Sequence, residues 1–324
     1  MIRTRFTQLL GVDHPVVLGG MGGATAPELV AAVSGAGGLG VQAATGRSPD
    51  QVADLAAAIR SLTDRPFGLN LLLFRADEAV INAVLDARPA VFSTAWPDLE
   101  HDLKGLFARA HDRGAKVMHM VAALPDAEKA AAAGADVIVA QGTEGGGHVG
   151  TVGTSVIVRM VARAVAPVPV LAAGGIADGA GLAAMLALGA EGVLLGTRFM
   201  ATAEAPIPDS FKKALVDSDG HDTFVTDIND IALGMEWPGA WSRVKRNRFV
   251  ERWQGRVNEL RQLKTRVAAE LQEARNRGDV QEAVFYTGQT AGLIDGIVPA
   301  AQVVEDVVKE AEEILGGRLP GLVV

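Results

Sequence analysis

Apolar runs of strand length that stop at glycine recur along this chain, each set off from the next by a helix-like segment. The clearest are Asp136 to Gly150 (DVIVAQGTEGGGHVG), Val168 to Gly175 (VPVLAAGG) and Gly192 to Arg198 (GVLLGTR). A strand apolar on both faces suits a parallel sheet covered by helices, and the alternation of strand, turn and helix is the signature of that architecture. The same pattern holds upstream. Strands are predicted over His14 to Gly20, Leu39 to Ala43, Pro66 to Leu73, Ala90 to Thr94 and Ala115 to Val121, with helices over 27–36, 77–87, 99–112 and 125–133. Between the second and third strands, Ser48 stands as an N-cap with Pro49 at the first helical position, in the order that helix starts favour. With helices over 155–165 and 179–188 the strands number eight, and eight parallel strands joined by helical crossovers close as a (β/α)8 barrel.

The chain has 324 residues, 49% of them hydrophobic, enough for one barrel of about 250 residues and an insertion. After Thr197 the alternation stops. Pro206 to Gly296 is charged and reads as helical, with acidic and basic residues alternating from Glu251 to Asp279. The expected organisation is therefore a barrel over 1–205, a helical lobe over the barrel mouth from 206 to 296, and a last barrel helix and tail over 297–324. That helix, Pro299 to Leu315, should end at Gly316 and Gly317. A net charge of −8 argues against nucleic acid or an anionic membrane as partner, because both require clustered cations. The one basic run, Arg243 to Arg252, reads as a helix face. With no cysteine, disulfides, thiolate nucleophiles and thiolate metal sites are excluded. No histidine and carboxylate spacing suggests a metal site. The N-terminus is polar-interrupted and should lead directly into the first strand, so a soluble cytoplasmic protein is expected. Gly35 to Gly40 (GAGGLG) precedes a strand, the wrong order for a dinucleotide-binding fingerprint.

His148 is the leading catalytic candidate: it follows Gly145, Gly146 and Gly147 at the C-terminal end of a barrel strand, where an imidazole titrating near neutrality suits proton transfer. Gln141 and Glu144 precede it, and Gln141 is the better ligand contact of the two. The loops after the seventh and eighth barrel strands carry Gly174, Gly175, Gly196 and Thr197, where backbone N–H groups can hold a phosphate. The same glycines would also serve as tight turns alone. Asn70, polar in the apolar run PFGLNLLL, needs a hydrogen-bond partner if buried, from a ligand or from backbone. His119 would line the same cavity, and the other four histidines read as structural or surface groups.

The motifs LGGMGG, PFGLNLL, AQGTEGGGH, LAAGGIADG and GTRF, in this order, resemble those of the nitronate monooxygenase family, formerly called 2-nitropropane dioxygenases. The resemblance spans nearly the whole barrel, and its histidine loop is the most specific part. It implies an FMN-containing TIM barrel. Gly20 and Met21 would lie against the flavin ring, Asn70 and Gln141 would hydrogen-bond it, and Gly146 and Gly147 would border it. Gly174, Gly175, Gly196 and Thr197 would hold the phosphate, and His148 would be the catalytic base or proton donor. The stretch TGQTAGLI (287–294) is similar to a segment that returns to the flavin pocket, which makes Gly288 and Gln289 contacts. The family loop often has alanine where this chain has Gly145, and the segment Met235 to Trp241 matches no family motif.

The implied reaction is oxidation of an alkyl nitronate or nitroalkane with O2, giving a carbonyl compound and nitrite. Related barrels include FMN-dependent enoyl-acyl-carrier-protein reductases and NADH:quinone reductases, so an NAD(P)H-dependent reductase acting on a quinone or an enoyl thioester is the alternative. A flavin-free barrel binding a sugar phosphate is a third. A homodimer is compatible with each.

Overall fold

The computed structural model describes residues 1–322. Its first element is a helix, not a strand. The hydroxyls of Thr4 and Thr7 cap one another's backbone N–H groups and start α1 (Arg5–Leu10). This helix does a specific job. Phe6 is fully buried and joins Leu9 and Leu10 against the barrel interior, among them Val17, Leu39, Val91, Met118 and Leu171. Thr4 and Arg5 are tied to Glu191 and Pro167, which lie just before two barrel strands. The N-terminal end of the barrel is thus plugged, leaving its C-terminal end for a ligand.

The barrel is closed and parallel, as the alternation requires. Its strands are β1 (Val16–Leu18), β2 (Leu39–Ala43), β3 (Phe67–Leu72), β4 (Val91–Ala95), β5 (Lys116–Val121) and β6 (Val137–Gln141), completed by β8 (Val170–Ala173) and β9 (Gly192–Leu195), which pairs back onto β1. Around it lie α2 (Pro27–Gly35), α3 (Pro49–Leu62), α4 (Glu78–Asp86), α5 (Leu103–Asp112), α6 (Leu124–Ala132), α7 (Thr154–Ala164) and α8 (Gly179–Ala187). Ser48 caps α3 as the sequence predicts, in a reciprocal box with Gln51, and the Asp77 and Asp178 side chains each accept one backbone N–H at the start of α4 and α8. Helix α14 (Ala300–Glu313) packs on α8 and α2 and completes the ring. It does not stop at Gly316 and Gly317. A π-helical turn over Ile314–Arg318 carries the chain through both, and neither takes a positive φ.

Between β9 and α14 come α9 (Thr197–Met200), α10 (Asp209–Val216), β10 (Thr223–Thr226), α11 (Ile228–Leu233), β11 (Trp241–Lys245), α12 (Arg248–Trp253) and α13 (Val257–Asn276). The segment 206–296 is therefore not wholly helical. Strands β10 and β11 form an antiparallel sheet with β7 (Gly147–Val149), which is the histidine loop itself. These strands are short and polar (TFVT and WSRVK), and their pairing with β7 is far from local, so no periodicity reveals them. The basic run Arg243 to Arg252 is likewise not one helix face, being split between β11 and α12. Ile228, Val244, Phe249, Trp253, Leu260 and Val267 form this segment's own apolar cluster. Among the described residues no helix is long and apolar enough to cross a membrane.

Candidate active site

A cavity of about 510 Å³ opens at the C-terminal ends of the barrel strands, roofed by residues from 206–296. The structure brings most of the sequence candidates together there. Gly20 and Met21 follow β1, Asn70 lies in β3, Gln141 ends β6, and Gly146, Gly147 and His148 lie at and before β7. Gly174 and Gly175 follow β8, Gly196 and Thr197 follow β9, and all line the cavity. Gly174 and Gly175 have φ of 92° and 74°, a region that favours glycine.

Gly288 and Gln289 stand behind the wall. A Cβ on Gly146 would fall 2.5 Å from the Gly288 nitrogen, and one on Gly288 would fall 2.8 Å from the Glu144 carbonyl. The two segments thus pack backbone against backbone. The Gly288 N–H donates to Thr197 Oγ1 at 2.9 Å, the Gln289 N–H donates to the Glu144 carbonyl at 3.0 Å, and the Gln289 side chain is exposed.

Polar groups in the cavity are unevenly satisfied. The Asn70 amide donates to Ser93 Oγ at 3.1 Å. Gln141 Oε1 is buried with no partner, so it calls for a donor from whatever fills the cavity. Glu144 is occupied elsewhere: its carboxylate accepts the backbone N–H and hydroxyl of Thr154 at the start of α7. His119 is not in the cavity. It is buried behind β5, 2.7 Å from the Thr94 hydroxyl and against Phe107, and desolvation lowers its pKa to about 4.

His148 is held from the other side, by residues that the sequence did not single out. Its Nε2 lies 2.9 Å from Asp230 Oδ1, with both side chains buried. A carboxylate only accepts, so Nε2 carries the hydrogen and a neutral ring keeps its lone pair on Nδ1. Strand pairing sets this geometry, because His148 faces Ser242 across β7 and β11. The Ser242 hydroxyl lies 2.7 Å from Asn229 Oδ1, and the Asn229 amide donates to Asp230 at 3.2 Å and to the Tyr286 hydroxyl at 3.1 Å. Burial pushes the Tyr286 phenol up to about 12, Asp230 adding to the rise while the Asn229 hydrogen bond and Arg275 and Arg75 oppose it. On the open side the indole of Trp237 stacks on the His148 ring, with centroids 3.3 Å apart and planes 10° from parallel, and Phe74 and Trp96 pack on Trp237. The segment Met235 to Trp241, unmatched by family motifs, thus supplies Trp237, the member of this aromatic wall that stacks on His148. Its only sequence signal was two tryptophans in a chain with four.

A plugged (β/α)8 barrel whose open end carries glycine loops and a carboxylate-held imidazole has the architecture of a TIM-barrel enzyme. The nitronate monooxygenase family model matches residues 3–85 and 77–310, and the chain belongs to that family; it is an oxidoreductase. It is 32% identical to a Mycobacterium tuberculosis protein named (3aS,4S,5R,7aS)-5-hydroxy-7a-methyl-1-oxo-octahydro-1H-indene-4-carboxyl-CoA dehydrogenase, over 96% of each chain. It is 30% identical to a probable nitronate monooxygenase of Staphylococcus saprophyticus, over 97% of this chain and 99% of the other. Among solved structures, FabK from Thermotoga maritima superposes with a TM-score of 0.89 at 36% identity, over 100% of both chains.

Proposed function

We propose that the protein is an FMN-dependent oxidoreductase acting on an acyl thioester, with His148 handling the proton on the carbon beside the thioester carbonyl. The cavity suits FMN. The unpartnered Gln141 Oε1 would accept an N–H of the flavin ring, beside Gly20, Met21 and Asn70. Gly174, Gly175, Gly196 and Thr197 would hold the phosphate, with positive φ at the first two exposing backbone without a Cβ. FMN supplies hydride transfer, which no side chain here offers. The net reaction is reduction of an enoyl thioester, with NAD(P)H as hydride donor: one carbon of the double bond gains hydride, the carbon beside the carbonyl gains a proton, and NAD(P)+ is released.

The chain's own part is that proton. Asp230 fixes Nε2–H, so Nδ1 is the atom that delivers or removes the proton, and the carboxylate stabilises the imidazolium. The C–H next to a nitro group is acidic for the same reason as that next to a thioester, so the dyad alone serves either substrate. The observation favouring a thioester is the wall of Trp96, Met235 and Trp237 on the His148 side of the cavity, more apolar surface than a short nitronate would cover. The carboxyl-CoA substrate in the mycobacterial relative's name agrees with it. Oxidation of a nitronate by O2 is the second reading, favoured by the family name and the staphylococcal relative.

An anaerobic visible spectrum separates them. NAD(P)H should bleach the flavin, and an enoyl thioester should restore its colour without air. Bleaching by propionate 3-nitronate alone would return the assignment to nitronate oxidation.

A further inference from the structure

We infer that Arg75 and Arg275 form an anion subsite at the cavity mouth that holds the phosphate of the substrate's carrier, so that the acyl group arrives on a phosphorylated pantetheine arm. This rests on the thioester reading above and narrows it.

The first support is the sign of the cavity. In a chain of net charge −8, no carboxylate lines it, and its only formally charged residues are these two arginines. Neither forms an ion pair among the described residues, whereas Arg109, Arg113 and Arg252, for example, each meet a carboxylate. Arg75 makes only a 3.3 Å contact to Met235 Sδ, and Arg275 a 3.4 Å contact to the Gly23 carbonyl. A guanidinium has five N–H donors in a fork that matches phosphate oxygens, so most of that capacity is free.

Position separates Arg75 from the loops assigned to the FMN phosphate. Arg75 follows β3, which three strands separate from β8 and two from β9, across the mouth from the glycine loops. Arg275, at the end of α13, reaches over to the loop after β1. Both act on the Tyr286 phenol, which ties them to the dyad's side of the cavity. Both are exposed, as suits a hydrated phosphate that remains at the rim while the acyl group goes inside. This positive pair would also steer an anionic carrier towards the opening.

The test measures binding of coenzyme A, 4′-phosphopantetheine and pantetheine to the FMN-loaded protein by calorimetry, with KM for the crotonyl thioesters of coenzyme A and N-acetylcysteamine alongside. The wild type should prefer both phosphate-bearing arms over pantetheine about ten-fold or more, and lose that preference as salt rises. In Arg75→Gln and in Arg75→Gln/Arg275→Gln the preference should collapse, and Arg75→Lys should restore part of it. Arg75→Gln is the clean variant, because Arg75 bonds no backbone group. A wild type that turns over both thioesters without preference would overturn the subsite and leave the thioester reading intact. Loss of NAD(P)H affinity in the variants, with carrier preference kept, would also overturn it. A wild type that binds the phosphorylated arms but turns over no thioester would support the anion subsite and overturn the functional reading.

Discussion

At the scale of single residues, the arrangement turns on one hydrogen bond, from His148 Nε2 to Asp230 Oδ1 at 2.9 Å. Removing the imidazole in His148→Ala should lower turnover on the order of 10²- to 10⁴-fold, as for a general acid or base. Asp230→Asn keeps shape and volume but offers the ring an N–H as readily as an oxygen, so the fixed tautomer is lost. Its kcat should fall about ten- to a hundred-fold while the melting temperature holds and the pH–rate profile moves. An unchanged profile would make Asp230 a packing residue only. Tyr286 gives an independent probe, since it is the chain's only tyrosine. Its pKa in the folded protein is raised to about 12, mainly by burial, against about 10 in an unfolded chain. Because the raised group holds its proton longer when folded, stability is full below pH about 10 and declines as pH climbs towards about 12. A spectrophotometric titration should show the phenolate appearing near the higher value in native protein and near the lower one in denaturant.

At the scale of elements, what decides legibility is whether a strand carries its own signal. β3, β6 and β8 are fully or nearly fully buried runs, so apolar content and terminal glycines give them away, and the cavity residues on or just after them were readable as well. β10 and β11 have no such signal. Their sheet exists because β7 offers them an edge, and its register is what sets His148 opposite Ser242. Asp230, 82 residues from its partner, is likewise invisible to any spacing rule. Ser242→Ala tests the link between this element and the chemistry. The hydroxyl is fully buried between the Thr226 carbonyl and Asn229 Oδ1 and has one hydrogen to donate, so its loss leaves a buried acceptor without its donor and should cost about 1–3 kcal/mol. Because Asn229 orients Asp230, kcat should fall together with the melting temperature. A stability loss at full kcat would show that the sheet supports the fold and not the dyad.

At the scale of the whole molecule, the cavity exists only when the barrel and the segment 206–296 are folded against each other. Its floor, glycine loops and Trp96 come from the first and Phe211, Trp237 and Phe285 from the second, and the Gly146–Gly288 seam locks them backbone to backbone. A ligand that fills this space therefore binds the folded chain and not the unfolded one. At a free FMN concentration of a hundred times its Kd, the folded state should gain about 2.7 kcal/mol, seen as a rise in melting temperature in apoprotein reconstituted with FMN. Gly174→Ala should diminish that rise. Its φ of 92° is one that L side chains rarely adopt, and a Cβ there would sit 2.8 Å from the Gly145 nitrogen and 2.9 Å from the Gly142 carbonyl. The substitution should lower the melting temperature of the apoprotein and also shrink the increment from FMN, because the same backbone would have to shift away from the phosphate. An equal increment in both proteins would move the phosphate away from the loop after β8. No increment in the wild type, with inorganic phosphate or a sugar phosphate stabilising instead, would make this a flavin-free barrel that uses the same loops for a different ligand.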